Sequence, residues 1–499
     1  MTLRLAVLEG RFLGHTQAAA ELAEVVASSS LAETLRRWFG EEWLEQLAEQ
    51  SERIGILRAA IDRDIAAIDA MLSRQLDAVM QHPRFTRLEG SWRGVDWLVG
   101  RAPPGPRVRV RIMHARWSEI CRDLERALEF DQSHLFRKIY EEEFGMAGGE
   151  PFGLIAADYE VRHRPSAAHP TDDVGALVRL AGVAAAAFAP VMLAAAPELL
   201  GLDEFSDASS SVDLSTVFRS ADYTRWRGMG LGDDLRFIGL ALPRMLARPP
   251  WPDDGCRADQ FRFRSYAPSA RERVWMSPVY GFAAVAIRAF ERNSWPAAVR
   301  GAEISEDAQG GVLDDLPAEP LPSDAGGRPS RAPLEIALTD EQETQLSEAG
   351  LIPLSALEGL PEACFGALPS LHRPPRMSTA VANANQRLST QINTLLCVSR
   401  FAHFVKLMGR DMVGSALDPS DIEMRLSRWL GGYISGVGAG GLDANARFPL
   451  QDAKVDVFEL AGRPGQYGCV IHLKPHHQLD EIGASFRFTT ELTSRQAAA

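Results

Sequence analysis

Between Ile54 and Val79 the apolar residues Ile54, Leu57, Ile61, Ile65, Ile68, Leu72, Leu76 and Val79 recur every three or four positions. That spacing lays them along one face of a helix of about seven turns. Asp62, Arg63, Asp64, Asp69, Arg74 and Asp77 fall mostly off the stripe. Such a helix is solvated on one side and must bury the other against something outside itself. The receiving surface is either the core of the same chain or a helix of another subunit. His82-Pro83 sets the end, because proline biases the residue before it away from helical geometry.

Upstream, Leu31, Leu35, Trp38 and Phe39 continue a helical pattern that starts near Gln17. Leu3-Arg4-Leu5-Ala6-Val7-Leu8 is short, apolar and extended-looking, and reads as a strand or the start of a helix before Gly10 and Gly14. From Phe85 to about Leu360 the text is mixed α/β: strand-like Arg107 to Ile112, a helix from Trp117 to Phe130, an apolar run Gly153 to Ala157, and an alanine-rich helix from Asp173 to Phe188. Ser305 to Ser330 is rich in Pro, Gly, Asp and Glu and reads as a loop. A second break, Pro369 to Met377, precedes a unit with helices over Ala382 to Met408 and Ile422 to Tyr433. Three alternating segments end it: Lys454 to Leu460, Cys469 to Lys474 and Ala484 to Leu492. The expected fold class is α+β, with a helical segment over 1–82, a central mixed α/β body over 83–375 and a C-terminal α+β domain over 376–499.

A net charge of -13 across 499 residues argues against a nucleic-acid groove, which needs a basic field. Cys121, Cys256, Cys364, Cys397 and Cys469 are odd in number and widely spaced, so neither a disulfide framework nor a thiolate zinc site is expected. The longest apolar run, Leu180 to Leu200, is broken by Gly182, Pro190 and Pro197. With no signal-like N-terminus, the expectation is a cytoplasmic protein without membrane insertion.

Several motifs invite chemistry and fail on context. Gly436-Val437-Gly438-Ala439-Gly440-Gly441 satisfies G-x-G-x-x-G, but a helix precedes it where a phosphate cradle needs a strand. His472, His476 and His477 cluster around Pro475 without a convincing further ligand pair. Glu141, Glu142 and Glu143 are adjacent, so on a helix their carboxylates diverge. Ser133-His134 has no nucleophile-elbow frame and no orienting carboxylate identifiable from sequence. Aromatic–arginine neighbours, Trp92-Arg93, Trp226-Arg227, Arg428-Trp429 and Arg447-Phe448, suit protein interfaces or core packing. No residue is assigned a catalytic, cofactor-binding or metal role, and no cofactor is expected.

The run from Asp131-Gln132-Ser133-His134-Leu135-Phe136 through Glu141-Glu142-Glu143-Phe144-Gly145 to Gly148-Gly149-Glu150-Pro151-Phe152-Gly153 closely resembles a signature of the large contractile-sheath subunit of the bacterial type VI secretion system, the TssC/VipB family. Further segments resemble family motifs in order: Arg74-Gln75-Leu76-Asp77 with His82 to Gly94, then Leu242-Pro243-Arg244-Met245-Leu246-Ala247-Arg248, then Gly310-Gly311 with Asp315-Leu316-Pro317. Val398 to Lys406 with Arg410-Asp411, Arg447 to Leu450, and Pro464 to Tyr467 follow. Residues 1 to about 60 match the usual N-terminus less well. The resemblance implies a structural protein and not an enzyme. Its partners would be a small sheath subunit of the TssB/VipA kind, other copies of itself, an inner tube protein and a baseplate. An AAA+ unfoldase would recycle it through the small subunit, and its C-terminal part would be baseplate-like. A sheath paralogue or phage-tail-like component is the nearest alternative; a hydrolase using Glu141 to Glu143 with His134 is the alternative of another class.

Contraction without a bound fuel requires energy stored in assembly and a joint that survives motion. Strand addition provides such a joint, since a six-residue strand spans roughly 20 Å and adds backbone hydrogen bonds of about 0.5–1.5 kcal/mol each. The expected donor is Leu3, Leu5 and Val7; the expected receiver is Val455, Val457, Val470, Phe486 and Phe488, with Gly10, Gly14 and the Gly431 to Gly441 cluster as hinges. Ile61, Ile65, Ile68, Leu72 and Leu76 are the expected small-subunit interface. Acidic sheath residues are expected to face a basic tube.

Overall fold

Two apolar strings, Val-Met-Leu-Ala-Ala and Ile-Gly-Leu-Ala-Leu, form strands β2 (Val191–Ala195) and β3 (Ile238–Leu242), with every residue buried. Continuous apolar runs of this kind belong to parallel strands covered on both faces. With β1 (Ile155–Val161) they pair in parallel, Ile155 beside Val191 and Val191 beside Ile238. The sheet continues in parallel to Ile352–Ala356, then antiparallel to Ala363–Phe365 and Val312–Leu313. Alternate residues Val191, Leu193 and Ala195 share a core with Val174, Leu177, Leu180 and Val183 of the helix Asp173–Ala187. The helix Pro278–Asn293 lies against β1, β2 and β3. The alanine-rich helix starts where the Asp172 carboxylate accepts from the Gly175 N–H and ends at Phe188, whose φ of 50° cannot continue it.

The structure is a computed structural model and describes residues 3–12, 16–105, 107–146, 148–208, 213–252, 255–256, 260–303, 309–319, 332–357, 360–375, 377–412, 418–435, 447–459, 467–476 and 486–492. Contacts divide the chain into two units, Glu89–Arg248 with Trp275–Ala499, which holds the sheet, and Met1–Leu88 with Pro249–Val274. In the first of these the C-terminal segment carries helices Ala380–Ser389, Ile392–Met412 and Pro419–Gly431 before three antiparallel strands, Leu450–Glu459, Tyr467–Pro475 and Phe486–Leu492. Phe401, Val405, Ile422, Leu426, Val455 and Ile471 form their core. Helices precede strands, and the fold class is α+β across more than one domain, as expected.

The other unit is helical: α1 (Leu3–Leu8), α2 (Thr16–Ala27), α3 (Leu31–Phe39), α4 (Glu41–Ala48) and α5 (Arg53–Met80), followed by the first turn of α6 (Pro83–Arg101). Pro83 opens α6, and the chain breaks between α5 and α6 at His82, as its proline dictates.

Three local readings are resolved. Of its two readings Leu3–Leu8 takes the helical one: Leu3 and Ala6 are fully buried beside Ala18 and Trp38 while Leu5 is exposed, a period of three and not two. Six residues cannot hold a helix alone, and Arg4 supplies an anchor, donating to Asp64 of α5 from Nε (2.7 Å) and Nη2 (2.9 Å) while Trp38 donates to the same carboxylate at 2.9 Å. The expected strand Arg107 to Ile112 has a bend at Arg107, runs from Val108 without helix, turn or bend, and pairs with no strand among the described residues. Its arginines are engaged through their side chains, Arg109 with Glu150 and Arg111 with Glu143 and Glu150. The expected C-terminal helix Ala382 to Met408 is two helices, parted near Thr390.

Candidate assembly surfaces

The signature run is a clamp. After a short α-helical start capped by Ser133, whose hydroxyl accepts from the Phe136 N–H at 3.1 Å, residues Arg137–Phe144 wind as a π-helix closed by Gly145 N–H to Tyr140 O at 2.6 Å. One Glu143 carboxylate oxygen accepts from the Glu150 N–H at 3.0 Å, and the other meets Arg111. This folds the glycine turn back on the helix, and Gly149 is required there because a Cβ would lie 2.0 Å from the Glu143 carbonyl oxygen. Of the three adjacent glutamates, Glu143 thus holds the turn, Glu142 pairs with Lys138 at 2.7 Å, and Glu141 is exposed.

The second partner of this clamp is the helix Ile392–Met412. Lys406 donates to the Tyr140 hydroxyl at 2.7 Å and sits 4.0 Å from the Phe144 ring centroid. Arg410 donates to the Phe144 and Met146 carbonyls at 2.9 and 2.7 Å, satisfying groups that a helix end leaves open. His403, buried edge-on to Phe144, bonds through Nε2 to the Ala187 carbonyl at 2.9 Å. Two motifs far apart in sequence therefore meet, and neither could be assigned this role from spacing.

Burial, reinforced by Arg400 and Lys406, pushes the His403 pKa down to about 4. A histidine with a folded pKa below its unfolded value of about 6.5 takes up its proton on unfolding, so stability is complete above that value and is lost as pH falls toward 4. A loss of about 3 kcal/mol between pH 7 and pH 4 is expected in urea titrations, and His403→Gln should flatten that slope.

The motif over His82 to Gly94 is equally structural in its second half. Glu89 accepts from Arg248 at 2.6 Å and Arg93 at 2.8 Å, and Ser91 and Tyr280 both donate to Asp158. The motif Leu242 to Arg248 supplies that Arg248, and its Arg244 forms a fork with Glu335 at 2.7 and 2.9 Å; the Leu242–Pro243 peptide is cis.

What is left uncovered differs in character. On α5, Ile54 (64% exposed), Ile65 (51%), Leu72 (50%) and Val79 (60%) stand in solvent, with Ile61, Ile68 and Leu76 half-buried. Apolar side chains left exposed in a row along one helix face form the kind of surface that serves as an interaction site. On α6, Phe85, Leu88, Trp92 and Val99 are exposed at helical spacing. In the C-terminal sheet Val455 and Val470 are buried and Val457 is half-buried, and among the described residues Leu450–Glu459 and Phe486–Leu492 are the outer strands. The side chains of Phe486 and Phe488, like Gly14, Gly436 to Gly441 and His477, lie outside the described residues.

The motifs weighed for chemistry find other employment. Asp123 is the orienting carboxylate that sequence did not reveal, 2.8 Å from His134 Nδ1, but the Ser133 hydroxyl donates to the Phe130 carbonyl at 2.7 Å, away from the imidazole. His476 bonds Ser435 at 2.9 Å. Trp226 is core, Trp429 belongs to an aromatic cluster with Phe401 and Tyr433, and Trp92 and Phe448 are exposed. Among the described residues no group of three His, Cys, Asp or Glu could hold a metal ion, and no helix is long and apolar enough to cross a membrane.

A pinned signature, internal motifs spent on holding the body together and helix faces with apolar residues exposed among the described residues are features that suit an assembly protein. Comparison with known proteins gives the class: residues 62–372 match the family model described as EvpB/VC_A0108, tail sheath N-terminal domain, and residues 381–492 match its tail sheath gpW/gp25-like domain. The chain is 33% identical over 444 residues to the type VI secretion system sheath protein TssC1 of Pseudomonas aeruginosa, covering 88% of this chain and 87% of that one. The chain belongs to the VipB/EvpB family of type VI secretion tail-sheath proteins, as the large sheath subunit. It is a structural subunit of a contractile sheath. The crystal structure of a sheath tail protein from Desulfitobacterium hafniense resembles 63% of this chain and 59% of its own at a TM-score of 0.30 and 8% identity, a likeness too slight to bear on the fold.

Proposed function

We propose that the subunit pairs with a small sheath subunit through the exposed stripe of α5, polymerises with it around an inner tube on a baseplate, and contracts to drive the tube outward. The observation that carries this reading is the solvent-facing row Ile65, Leu72 and Val79 on a helix of 28 residues. In this scheme residues 1–82 serve assembly, 83–375 form the central sheath domain and 376–499 the baseplate-like domain. The work is mechanical and cytoplasmic, without catalysis or cofactor. Acidic surface faces a basic tube, and an AAA+ unfoldase recycles the sheath through the small subunit.

Copies are joined by strand addition, with the segment Leu3, Leu5 and Val7 donated to a backbone edge of the C-terminal sheet in a neighbour. Donation requires α1 to leave its helical dock on Asp64, and Gly10, with φ of 69°, is the turn about which it swings. Deleting residues 1–9 is expected to leave the heterodimer soluble and abolish long sheaths in electron micrographs; sheaths of normal length would refute the strand assignment.

A further inference from the structure

Where α4 turns into α5 the two helices leave an apolar cleft between them. It holds about 260 Å³ and is lined by Leu44, Leu47 and Ala48 of α4 and by Arg53, Ile54 and Leu57 of α5. On each helix the lining recurs at intervals of three and four, so it forms two facing edges. Leu47 is buried, Leu44 and Leu57 are half-buried, and Ile54 stands in water. All six residues precede residue 62, where the match to the tail-sheath family model begins.

The surroundings of the cleft carry one sign of charge. Residues 41–52 include Glu41, Glu42, Glu45, Glu49 and Glu52 and neither lysine nor arginine, and all five glutamates are exposed. Glu41 approaches Arg36 at 3.8 Å; the other four make no ion pair among the described residues. Glu41 and Glu42 suit the first turn of α4, and Glu52 suits the start of α5. Glu45 and Glu49 do not fit this pattern. They occupy the last turn and the C-cap of α4, where the helix end is itself partly negative and a carboxylate is unfavourable. Nothing within α4 stabilises these two charges, and an external cation would.

We propose that the α4–α5 cleft is a docking site for a basic amphipathic helix of another protein, with apolar residues seated on Leu44, Ile54 and Leu57 and lysines or arginines facing Glu45 and Glu49. A helix is the fitting occupant because the cleft lies between two helices and its lining is read at the spacing of a helix face. Charge complementarity makes that helix basic. A second copy of this chain is a poor source of it, since the chain carries a net charge of -13. The site is separate from the row Ile65, Leu72 and Val79 proposed for the small subunit, and lies outside the part of the chain that the family model matches.

The test is fluorescence anisotropy with a labelled peptide of about four helical turns, built of leucine and lysine at helical spacing. It is titrated against the full chain, alone and co-purified with the small sheath subunit. The peptide should bind both. The same residues in scrambled order, which keep the charge and lose the apolar face, should bind roughly tenfold more weakly or worse. Ile54→Ser, and Glu45→Gln combined with Glu49→Gln, should each weaken binding of the ordered peptide by about tenfold or more. Circular dichroism and recovery of the heterodimer should not change, because these three side chains are exposed. No binding, equal binding of the two peptides, or full binding by either variant would overturn the proposal. Binding that the small subunit abolishes, or loss of the small subunit from Ile54→Ser, would make that subunit the occupant and overturn it as well, while leaving the pairing of the two subunits intact or extending it.

Discussion

Ile65→Asp or Leu72→Asp is expected to abolish co-purification with the small sheath subunit while leaving the chain's own stability within about 0.5 kcal/mol of the parent. Both side chains are half exposed on α5, so neither supports the core of its own unit. In the heterodimer each would be covered, gaining roughly 1.5–3 kcal/mol, and an aspartate in its place would forfeit that gain and bury an unpaired charge. Together these lower the affinity by at least about a hundredfold, a change that pull-down yields report directly. A retained heterodimer with a lowered melting temperature would instead make the stripe an intrachain surface. Arg74→Ala, exposed on the same helix but off the stripe, should change neither quantity.

The largest effect on folding is expected at Gly90. In a helix interior alanine is favoured over glycine by about 0.5–1 kcal/mol, and Gly100, exposed at the other end of α6 with open space around its Cα, should show that gain as Gly100→Ala. At Gly90 the sign reverses. A Cβ there would lie 2.1 Å from the carbonyl oxygen of Trp275, a backbone atom that no rotamer change can move. Overpacking of this kind costs about 1–3 kcal/mol or more, which exceeds the propensity gain. Thermal melts of the two variants, prepared as heterodimers, should therefore move in opposite directions; equal and upward shifts would show that α6 does not sit against Trp275.

The elements that were legible in the sequence share a local cause. The α5 stripe, the alanine-rich helix ending at Phe188 and the three C-terminal strands are each long enough for one period to dominate, and each is found where its pattern places it. Leu3–Leu8 is too short for that; its conformation is decided by burial of Leu3 and Ala6 and by an aspartate 60 residues away. Asp64 itself reads as a solvated charge beside the stripe, yet Arg4 and Trp38 enclose it. The signature was recognisable as a family mark but not as a clamp, because its partners Lys406 and Arg410 are more than 260 residues distant. Arg107 to Ile112 has the composition of a strand and none of the ladder, since a ladder needs a second strand and none lies beside it among the described residues.

The central claim is that this chain acts by gripping neighbours. Co-expression with the adjacent small sheath subunit, followed by negative-stain electron microscopy of the purified material, tests it most directly. Rigid hollow tubes containing both polypeptides, absent when the large subunit is expressed alone, are the predicted result. A large subunit that is monodisperse by itself, and that forms no polymer with the small subunit, would contradict it.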